Sequence, residues 1–331
     1  MKYFFLLAAL GLSFLLVLAG KENLDVANGF KTAILTLINR DLVINEPRSG
    51  IESPSLPSQV IWRGSIESQS LIETSGLAQS KINSSIFFAI NDSGNHPKLF
   101  GLDRDGRHLG SWTINYGSRH DFEDLSAFSV RGDSFLLLAD TGDNLNWRNF
   151  QSLLIVEEPS LETAGQKLDV LKRLTFSFRD GHRDIESVAV DESGKTAYIV
   201  SKKRVPPELF RVSLEHHDHQ IVQAIGVIDN IPAPTTLDLA RRGRFGIYSS
   251  APTAMDLNPI NAVILTYKEL YLFEKKVGED WAKAFARVPS RISLPQIYGL
   301  EAVTFSGSRK ILLTGERENG RRASEIFEVS Y

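Results

Sequence analysis

The sequence contains no cysteine. This absence excludes disulfide bonds, thiol catalysis, zinc–thiolate sites, iron–sulfur clusters and attachment of a lipid to an N-terminal cysteine. An excess of basic residues is absent too, because 37 Lys and Arg stand against 40 Asp and Glu, for a formal net charge of −3. Such a chain is poorly suited to neutralise a phosphate backbone, so we expect no nucleic-acid partner.

Several catalytic motifs are also missing. The chain has no Gly-x-Ser-x-Gly elbow, which argues against an α/β-hydrolase mechanism. It has neither a P-loop nor a Gly-x-Gly-x-x-Gly fingerprint, so nucleotide binding of those kinds has no basis. What is present is ordinary globular composition, with 42% hydrophobic, 23% charged and 9% aromatic residues in 331 positions. That length allows one large domain or two ordinary ones.

The N-terminus indicates export. Met1 and Lys2 precede an almost unbroken apolar run from Tyr3 to Leu18, and small residues follow it. A positive start, a short apolar run and a small residue at its end are typical of a secretory signal, here residues 1–20. The run is shorter than the roughly 20 residues that a spanning helix needs, although an uncleaved membrane tether through residues 3–19 stays open. We expect a periplasmic or extracellular protein.

Residues 21–59 are not expected to belong to the core. Apolar residues recur at helical spacing from Asn23 to Arg40 and predict a short amphipathic helix. From Asn45 to Ser58 the chain carries three prolines among serine and glycine, which is linker composition. The folded domain is therefore expected to span residues 60–331.

Within that domain, apolar and aromatic runs of strand length recur between turn residues. The units contain three visible strands each, and Leu77, Leu125, Val188, Leu257 and Val303 serve as their equivalent points. The intervals between these points are 48, 63, 69 and 46 residues. Repeats of about 40–50 residues with several strands each are typical of propeller blades.

The sequence predicts an all-β propeller of five or six blades, with six favoured. Five units are visible, and the two long intervals have room for a sixth blade or for long loops. The strand at Val60–Arg63 precedes the first unit, and the chain ends on a third-strand segment. We therefore expect the N-terminal strand to complete the last blade, in a monomer.

A resemblance supports this fold. The motifs that carry it occur in the order TSGLAQS (Thr74 to Ser80), INDSGNHPKLFGLDRDGR (Ile90 to Arg107), DFEDLSAF (Asp121 to Phe128), LADTGDN (Leu138 to Asn144), RDIESVAVD (Arg183 to Asp191) and GLEAVTF (Gly299 to Phe305). Together they resemble exported bacterial propellers of the esterase-like, phytase-like family. The segment Pro232 to Pro252 departs from the pattern, so the fourth blade is the least well matched.

Carboxylates recur two positions before the equivalent points, at Glu123, Glu186 and Glu301. The inner strands of a propeller line one axial channel, so these side chains are expected to converge there. Converging carboxylates repel unless a cation lies between them, and an all-oxygen ligand set suits Ca²⁺ or Mg²⁺. Asp92 and Asp143, at the ends of second strands, would add ligands. In the alternative, each Glu pairs separately with Arg, Lys or a backbone amide.

Two functional classes remain open. In the first, the protein is an exported binding platform for an unknown protein ligand, with an ion in its channel. In the second, it is a metal-dependent hydrolase of phosphoesters or carboxylic esters, as the resemblance implies. His120 or His182 would then act as general base, and Lys202 or Arg317 would hold a small anionic ester.

Overall fold

The computed structural model describes residues 43–44, 52–317 and 324–331. The predicted signal segment 1–20 and the predicted helix Asn23–Arg40 lie outside the described residues. The strands, in chain order, are β1 (Val43–Ile44), β2 (Gln59–Ser65), β3 (Thr74–Gln79), β4 (Phe87–Asn91), β5 (Lys98–Leu102), β6 (His108–Ile114), β7 (Phe122–Val130), β8 (Asp133–Asp140), β9 (Gln151–Glu157), β10 (Lys167–Leu168), β11 (Lys172–Phe178), β12 (Ile185–Val190), β13 (Thr196–Ser201), β14 (Arg204–Val205), β15 (Glu208–Ser213), β16 (Gln220–Val222), β17 (Gly226–Val227), β18 (Pro252–Leu257), β19 (Asn261–Thr266), β20 (Glu269–Glu274), β21 (Ser290–Ser293), β22 (Leu300–Phe305), β23 (Lys310–Gly315) and β24 (Glu325–Ser330).

Helical structure is sparse in the described part of the chain. It consists of α1 (Thr236–Arg242), α2 (Trp281–Phe285) and two 3₁₀ turns at Leu161–Thr163 and Gly243–Tyr248. The α1 helix and the second 3₁₀ turn fill the segment that departs from the sequence repeat. Among the described residues, no helix has the length and apolarity required to cross a membrane.

Within the described ranges of the chain, five sheets of four or five strands form the blades. Their strand orders are β10-β6-β5-β4-β3, β16-β11-β9-β8-β7, β12-β13-β15-β17, β18-β19-β20-β21 and β2-β24-β23-β22, and we number the blades 1 to 5 in this order. A sixth, two-stranded pairing joins β1 to β14. The prediction of an all-β propeller is confirmed, and the preference for six blades was wrong.

The blade count follows from what fills the long intervals of the repeat. The interval from Leu125 to Val188 holds the outer strand β11 of blade 2 and the short strand β10, which pairs with β6 of blade 1. Between blades 3 and 4 the extra residues form α1 and a 3₁₀ turn instead of strands. Both long intervals therefore hold additions to existing units.

The core lies between neighbouring blades. Strands buried on both faces, such as β4 and β19, appear in the sequence as nearly continuous apolar runs. Five apolar clusters join blade 1 to 2, 2 to 3, 3 to 4, 4 to 5 and 5 to 1. In the last of these, Ala302, Leu312 and Ile326 of blade 5 pack with Leu77 and Phe87 of blade 1. The ring of blades is continuous through this contact.

The chain preceding β3 runs along the outside of two blades. Leu56 N donates to Arg291 O, and Arg291 N donates to Pro54 O, both at 2.8 Å, against the outer strand of blade 4. Then β2 pairs antiparallel with β24, with Val60 opposite Val329. Blade 5 thus takes its outermost strand from the beginning of the domain.

Each inner strand carries a β-bulge at the same place. The pairing with the second strand skips Ser75, Glu123, Glu186, Thr253 and Glu301 in blades 1 to 5 respectively. A bulge inserts one unpaired residue and re-aims its side chain. The true equivalent of Leu125 in blade 4 is therefore Met255, two residues after Thr253, and the sequence-based choice of Leu257 was wrong by two positions.

Asp124 joins three inner strands at one point. This completely buried carboxylate accepts hydrogen bonds from Leu125 N at 2.8 Å, from Val188 N at 2.7 Å and from Met255 N at 3.0 Å. Blades 2, 3 and 4 therefore meet at one side chain. Beyond it, the mouth formed by the other ends of the inner strands holds a cavity of about 180 Å³ whose lining includes Lys81 and Asp256.

Candidate functional site: an acidic mouth of the propeller

The bulged residues divide into two chemical types. Ser75 Oγ donates to Phe122 O at 2.7 Å, and Thr253 Oγ1 donates to Leu300 O at 2.8 Å, so each hydroxyl ties its blade to the next one. The three glutamates have no hydroxyl to make this bond. In blade 2 the corresponding link to Ile185 O comes from Thr141 Oγ1, at 2.9 Å.

The glutamates meet further carboxylates at the mouth where the inner strands begin. We call this group the acidic mouth and define it as Asp92, Asp121, Glu123, Asp184, Glu186, Glu301 and Glu316. Asp92 and Glu316 follow second strands, β4 and β23, whereas Asp121 and Asp184 lie just before the inner strands β7 and β12. Blades 1, 2, 3 and 5 contribute to the acidic mouth. In each of them the carboxylates lie at the edge of the blade where the inner strand begins and the second strand ends.

Two triplets of carboxylates are close enough to share one ion. One ligand oxygen from each of Asp92, Asp121 and Glu123 lies within 4.8 Å of the other two, and the same holds for Glu123, Asp184 and Glu186. Glu123 and Glu186, which are 63 residues apart in sequence, therefore come together as the repeat requires. Glu301 lies outside both triplets.

One half of the acidic mouth is neutralised by the protein itself. Lys202 Nζ donates to Glu186 Oε1 and, at 3.1 Å, to Tyr267 Oη. Tyr267 Oη in turn donates to Glu301 Oε1 at 2.6 Å. Lys203 Nζ lies 2.8 Å from Asp184 Oδ2. Burial alone would lower the pKa of Lys202, but the Glu186 carboxylate, helped by Tyr267 and Glu301, raises it overall.

The other half has no such partner. Within the described part of the chain, no lysine or arginine forms an ion pair with Asp92, Asp121 or Glu123, and no hydrogen-bond donor reaches the Glu123 carboxylate. Glu123 is only 6% exposed. Gly142 lies directly against Glu123 Oε1 and Asp121 Oδ2, where a Cβ would overlap both oxygens. A buried charge without a partner is costly, so this half is the electrostatically unsatisfied part of the mouth.

Burial and neighbouring negative charges raise the pKa values of several of these carboxyl groups. Burial, followed by the neighbouring charges of Glu186 and Asp92, raises the pKa of Glu123 well above its usual range. Burial, together with the charges of Asp121 and Glu301, raises the pKa of Asp92 to about 7. Burial and the adjacent Glu316 raise the pKa of Glu301 to about 7 as well. Such a group binds protons or cations readily near neutral pH.

Asp143 serves a different purpose at the edge of the mouth. Its carboxylate accepts hydrogen bonds from Trp147 N at 2.9 Å and from Arg148 N at 3.2 Å, while its own N–H donates to Asp184 Oδ1 at 2.8 Å. These bonds occupy Asp143 in holding a loop. It does not belong to either close triplet of carboxylates.

The two candidate histidines differ in their surroundings. His120 is 5% exposed, its Nδ1 lies 3.2 Å from Gly117 O, and its ring packs on Phe122 with centroids 4.3 Å apart. Its Nε2 is buried and has no hydrogen-bond partner among the described residues. Burial lowers the pKa of His120, so the ring is neutral at pH 7. His182 is more exposed and lies 3.0 Å from Arg148 O through Nδ1.

Sequence reasoning missed several members of the site. Asp121, Asp184 and Glu316 were not chosen as ligands, and neither Tyr267 nor Gly142 was singled out. Asp121 and Asp184 each stand two residues before a bulged glutamate, so the recurrent Asp-x-Glu spacing in blades 2 and 3 was a usable signal. The candidate Arg317 donates its backbone N–H to Ile72 O at 3.0 Å beside the mouth.

Comparisons with known proteins assign neither a family nor a function to this chain. No protein-family model and no curated protein matches the chain. Among solved structures, the WD40 domain of Neurospora crassa Pan2 aligns over 83% of this chain and 97% of its own, at 9% identity and a TM-score of 0.40. Kuenenia stuttgartiensis hydrazine synthase aligns over 83% of this chain and 60% of its own, at 13% identity and a TM-score of 0.36. These likenesses carry no argument about chemistry, and the fold assignment rests on the five sheets themselves.

Proposed function

We propose that this protein is an exported binding platform whose acidic mouth holds a divalent cation, Ca²⁺ or Mg²⁺. The observation that carries the proposal is Glu123, a carboxylate 6% exposed that has no donor among the described residues and lies with Asp92 and Asp121 inside 4.8 Å. A hard cation with oxygen ligands would relieve their mutual repulsion.

The donor set fits such an ion. All three groups are carboxylates, which suit Ca²⁺ and Mg²⁺ better than Zn²⁺. Gly142 lies against two of them, at a position where any Cβ would overlap their oxygens. We place the ion in this half of the mouth because Glu186 and Asp184 already have Lys202 and Lys203, and Glu301 has the Tyr267 hydroxyl. This differs from a site spanning Glu123, Glu186 and Glu301.

The isosteric variant Glu123→Gln provides the test. In the wild-type protein, Ca²⁺ or Mg²⁺ should raise the melting temperature relative to EDTA, since a ligand that binds the native state alone stabilises it. In Glu123→Gln the response should be largely lost, and the metal-free variant should melt higher than the wild type because a repelling charge is gone. Glu157→Gln, at an exposed position, is the matched control and should retain the wild-type response.

The melting temperature in EDTA and the response to the cation together separate the proposal from its alternative. If Glu123→Gln lowers the melting temperature in EDTA and leaves the cation response intact, Glu123 acts through a bond of its own and the ion site is wrong. Calorimetric titration with Ca²⁺ would then show the same calcium affinity in the wild type and in Glu123→Gln.

A metal-dependent hydrolase related to the esterase-like propellers is the second candidate, and His120 favours it. Its buried, neutral ring has an unpartnered Nε2 and could accept a proton from a water molecule. The excess of carboxylates would repel a phosphoester, and Lys202 is already paired with Glu186, so carboxylic esters suit this mouth better. Chromogenic acyl and phosphate esters with and without EDTA test this candidate, and turnover abolished by His120→Ala would support it.

A further inference from the structure

A loop beside the acidic mouth presents apolar side chains to solvent. We call residues 143–148 the Trp loop. Trp147 is 58% exposed and Leu145 is 39% exposed. Exposing large apolar side chains to water is unfavourable, and two of them in one short loop beside a polar site are typical of an interaction surface.

The Trp loop is nevertheless held firmly by the surrounding structure. Asp143 accepts from Trp147 N at 2.9 Å, and Lys203 Nζ donates to the side-chain oxygen of Asn144 at 2.9 Å. The Arg148 guanidinium donates to Asp140 at 2.8 Å and to Gly142 O at 2.9 Å. These bonds tie both ends of the loop to the framework of the mouth.

The loop also contains a backbone conformation that few residues adopt. Asn146, between the two exposed apolar residues, has a φ of +51°. Left-handed backbone is unfavourable for residues other than glycine, though least so for asparagine, and persists where surrounding bonds enforce it. A rigid loop that holds a tryptophan outward loses little conformational entropy when a partner binds.

Charge indicates what kind of partner fits. The Trp loop joins the acidic mouth directly, since Asp143 N donates to Asp184 Oδ1 at 2.8 Å. Asp184 and Glu186 are paired with Lys203 and Lys202, whereas the other five carboxyl groups of the mouth form no ion pair with lysine or arginine among the described residues, so acidic groups outnumber basic ones there. A positively charged partner is therefore attracted to this surface, and an anionic one is repelled.

We propose that the Trp loop and the acidic mouth form a docking surface for a basic segment of another protein, with Trp147 as its apolar anchor. Lysine or arginine side chains of that segment face the carboxylates, and an adjacent apolar side chain packs on Trp147 and Leu145. Tryptophan is enriched among the residues that dominate binding energy at protein interfaces. This inference rests on the platform role proposed above and is independent of the cation.

The test uses the full chain and two short synthetic peptides, one of lysine, leucine and alanine and one with glutamate in place of every lysine. The lysine peptide should bind and the glutamate peptide should not, and affinity should fall as salt rises. Trp147→Ala should weaken binding of the lysine peptide by about tenfold or more. Trp62→Ala is the matched control, because Trp62 is 59% exposed on the outer strand of blade 5, and it should bind as the wild type does.

A second variant tests the rigidity of the loop without removing the anchor. Asn146→Gly keeps Trp147 but loosens the backbone, so binding of the lysine peptide should weaken by a few fold. Equal binding by the Trp147→Ala and Trp62→Ala proteins, or equal binding of both peptides, would overturn the proposal. The proposal would also be overturned if Trp147→Ala left the affinity for the lysine peptide unchanged but abolished self-association, measured by sedimentation, or binding to anionic lipid vesicles.

The response to calcium distinguishes the proposal of a docking surface from the proposal of a cation site. Trp147→Ala should retain the cation-induced rise in melting temperature that Glu123→Gln is expected to lose. A protein with no cation response but with Trp147-dependent peptide binding would refute the ion and leave the docking surface standing.

Discussion

Tyr267 Oη donates a 2.6 Å hydrogen bond to Glu301 Oε1. The same oxygen accepts from Lys202 Nζ at 3.1 Å, so a phenol from blade 4 connects a lysine of blade 3 to a glutamate of blade 5. Lys202 is also 5.4 Å from the centre of the Tyr267 ring. This three-residue chain explains why Glu301 is withdrawn from the carboxylates around Glu123.

Replacing Tyr267 by phenylalanine should therefore destabilise the protein by about 2 kcal/mol, the usual cost of losing buried hydrogen bonds to charged groups. Urea unfolding measures the change. The matched control is Tyr331→Phe, because the Tyr331 hydroxyl is buried without a partner among the described residues. That variant should be neutral or slightly more stable, and equal losses in the two proteins would contradict the role given to Tyr267.

The stability of the metal-free protein should fall as pH rises through neutrality. Asp92 and Glu301 have folded-state pKa values raised to about 7, above those of an unfolded chain, so the folded state binds more protons between about pH 4 and about pH 7. Their contribution is full at low pH and is lost as pH rises through about 7. Thermal melts in EDTA at about pH 5.5 and about pH 8 measure this loss.

The cation should reverse that trend. Because an ion competes with protons for the same carboxylates, the rise in melting temperature on adding Ca²⁺ should be larger at about pH 8 than at about pH 5.5. Asp92→Asn should reduce both the pH dependence in EDTA and the calcium response. A calcium response that is the same at both pH values would contradict carboxylate coordination.

Gly142→Ala should remove the cation response and destabilise the protein. The new Cβ would overlap carboxylate oxygens of Glu123 and Asp121, and both would have to move. Calorimetric titration with Ca²⁺ measures the first effect and denaturant unfolding the second. Gly117→Ala is the control, since a Cβ there meets nothing within 4 Å; a similar loss of calcium binding in that variant would point to a general effect on the mouth.

Asp124→Ala should be among the most destabilising single changes, at about 3–5 kcal/mol, because it leaves three buried N–H groups from three blades without an acceptor. Asp124→Asn should be milder, since its carbonyl oxygen can still accept. Guanidinium unfolding provides the measurement. Asp133→Ala, at the exposed first residue of β8, should change stability by less than about 0.5 kcal/mol.

The sequence was informative about the repeat because the second strands are nearly continuous apolar runs, and Glu123, Glu186 and Glu301 stand at one position in the inner strands that precede them. It misaligned blade 4, where Thr253 replaces the acidic residue and no motif marks the bulge. It also favoured a sixth blade, because outer strands such as β11 are partly exposed and carry few apolar residues to distinguish them from loops.

The composition of the mouth was harder to anticipate. Asp121, Asp184 and Glu316 lie outside the inner-strand repeat, so their approach to Glu123 depends on the ring geometry rather than on any local pattern. The pairing of Lys202 with Glu186 could not be read from spacing either, since a lysine in the same stretch could equally have faced solvent. Which carboxylates stay unsatisfied is decided by these tertiary contacts.

Asp124 makes three blades depend on one side chain. The hydrogen bonds that it accepts join the inner strands of blades 2, 3 and 4, and the bulged residues Glu123 and Glu186 lie within two residues of two of the bonded positions. A shift of any one of these strands would therefore change the spacing of the carboxylates at the acidic mouth. The residue that joins the blades thus helps to set the geometry of the proposed ion site, although it is not one of the ligands.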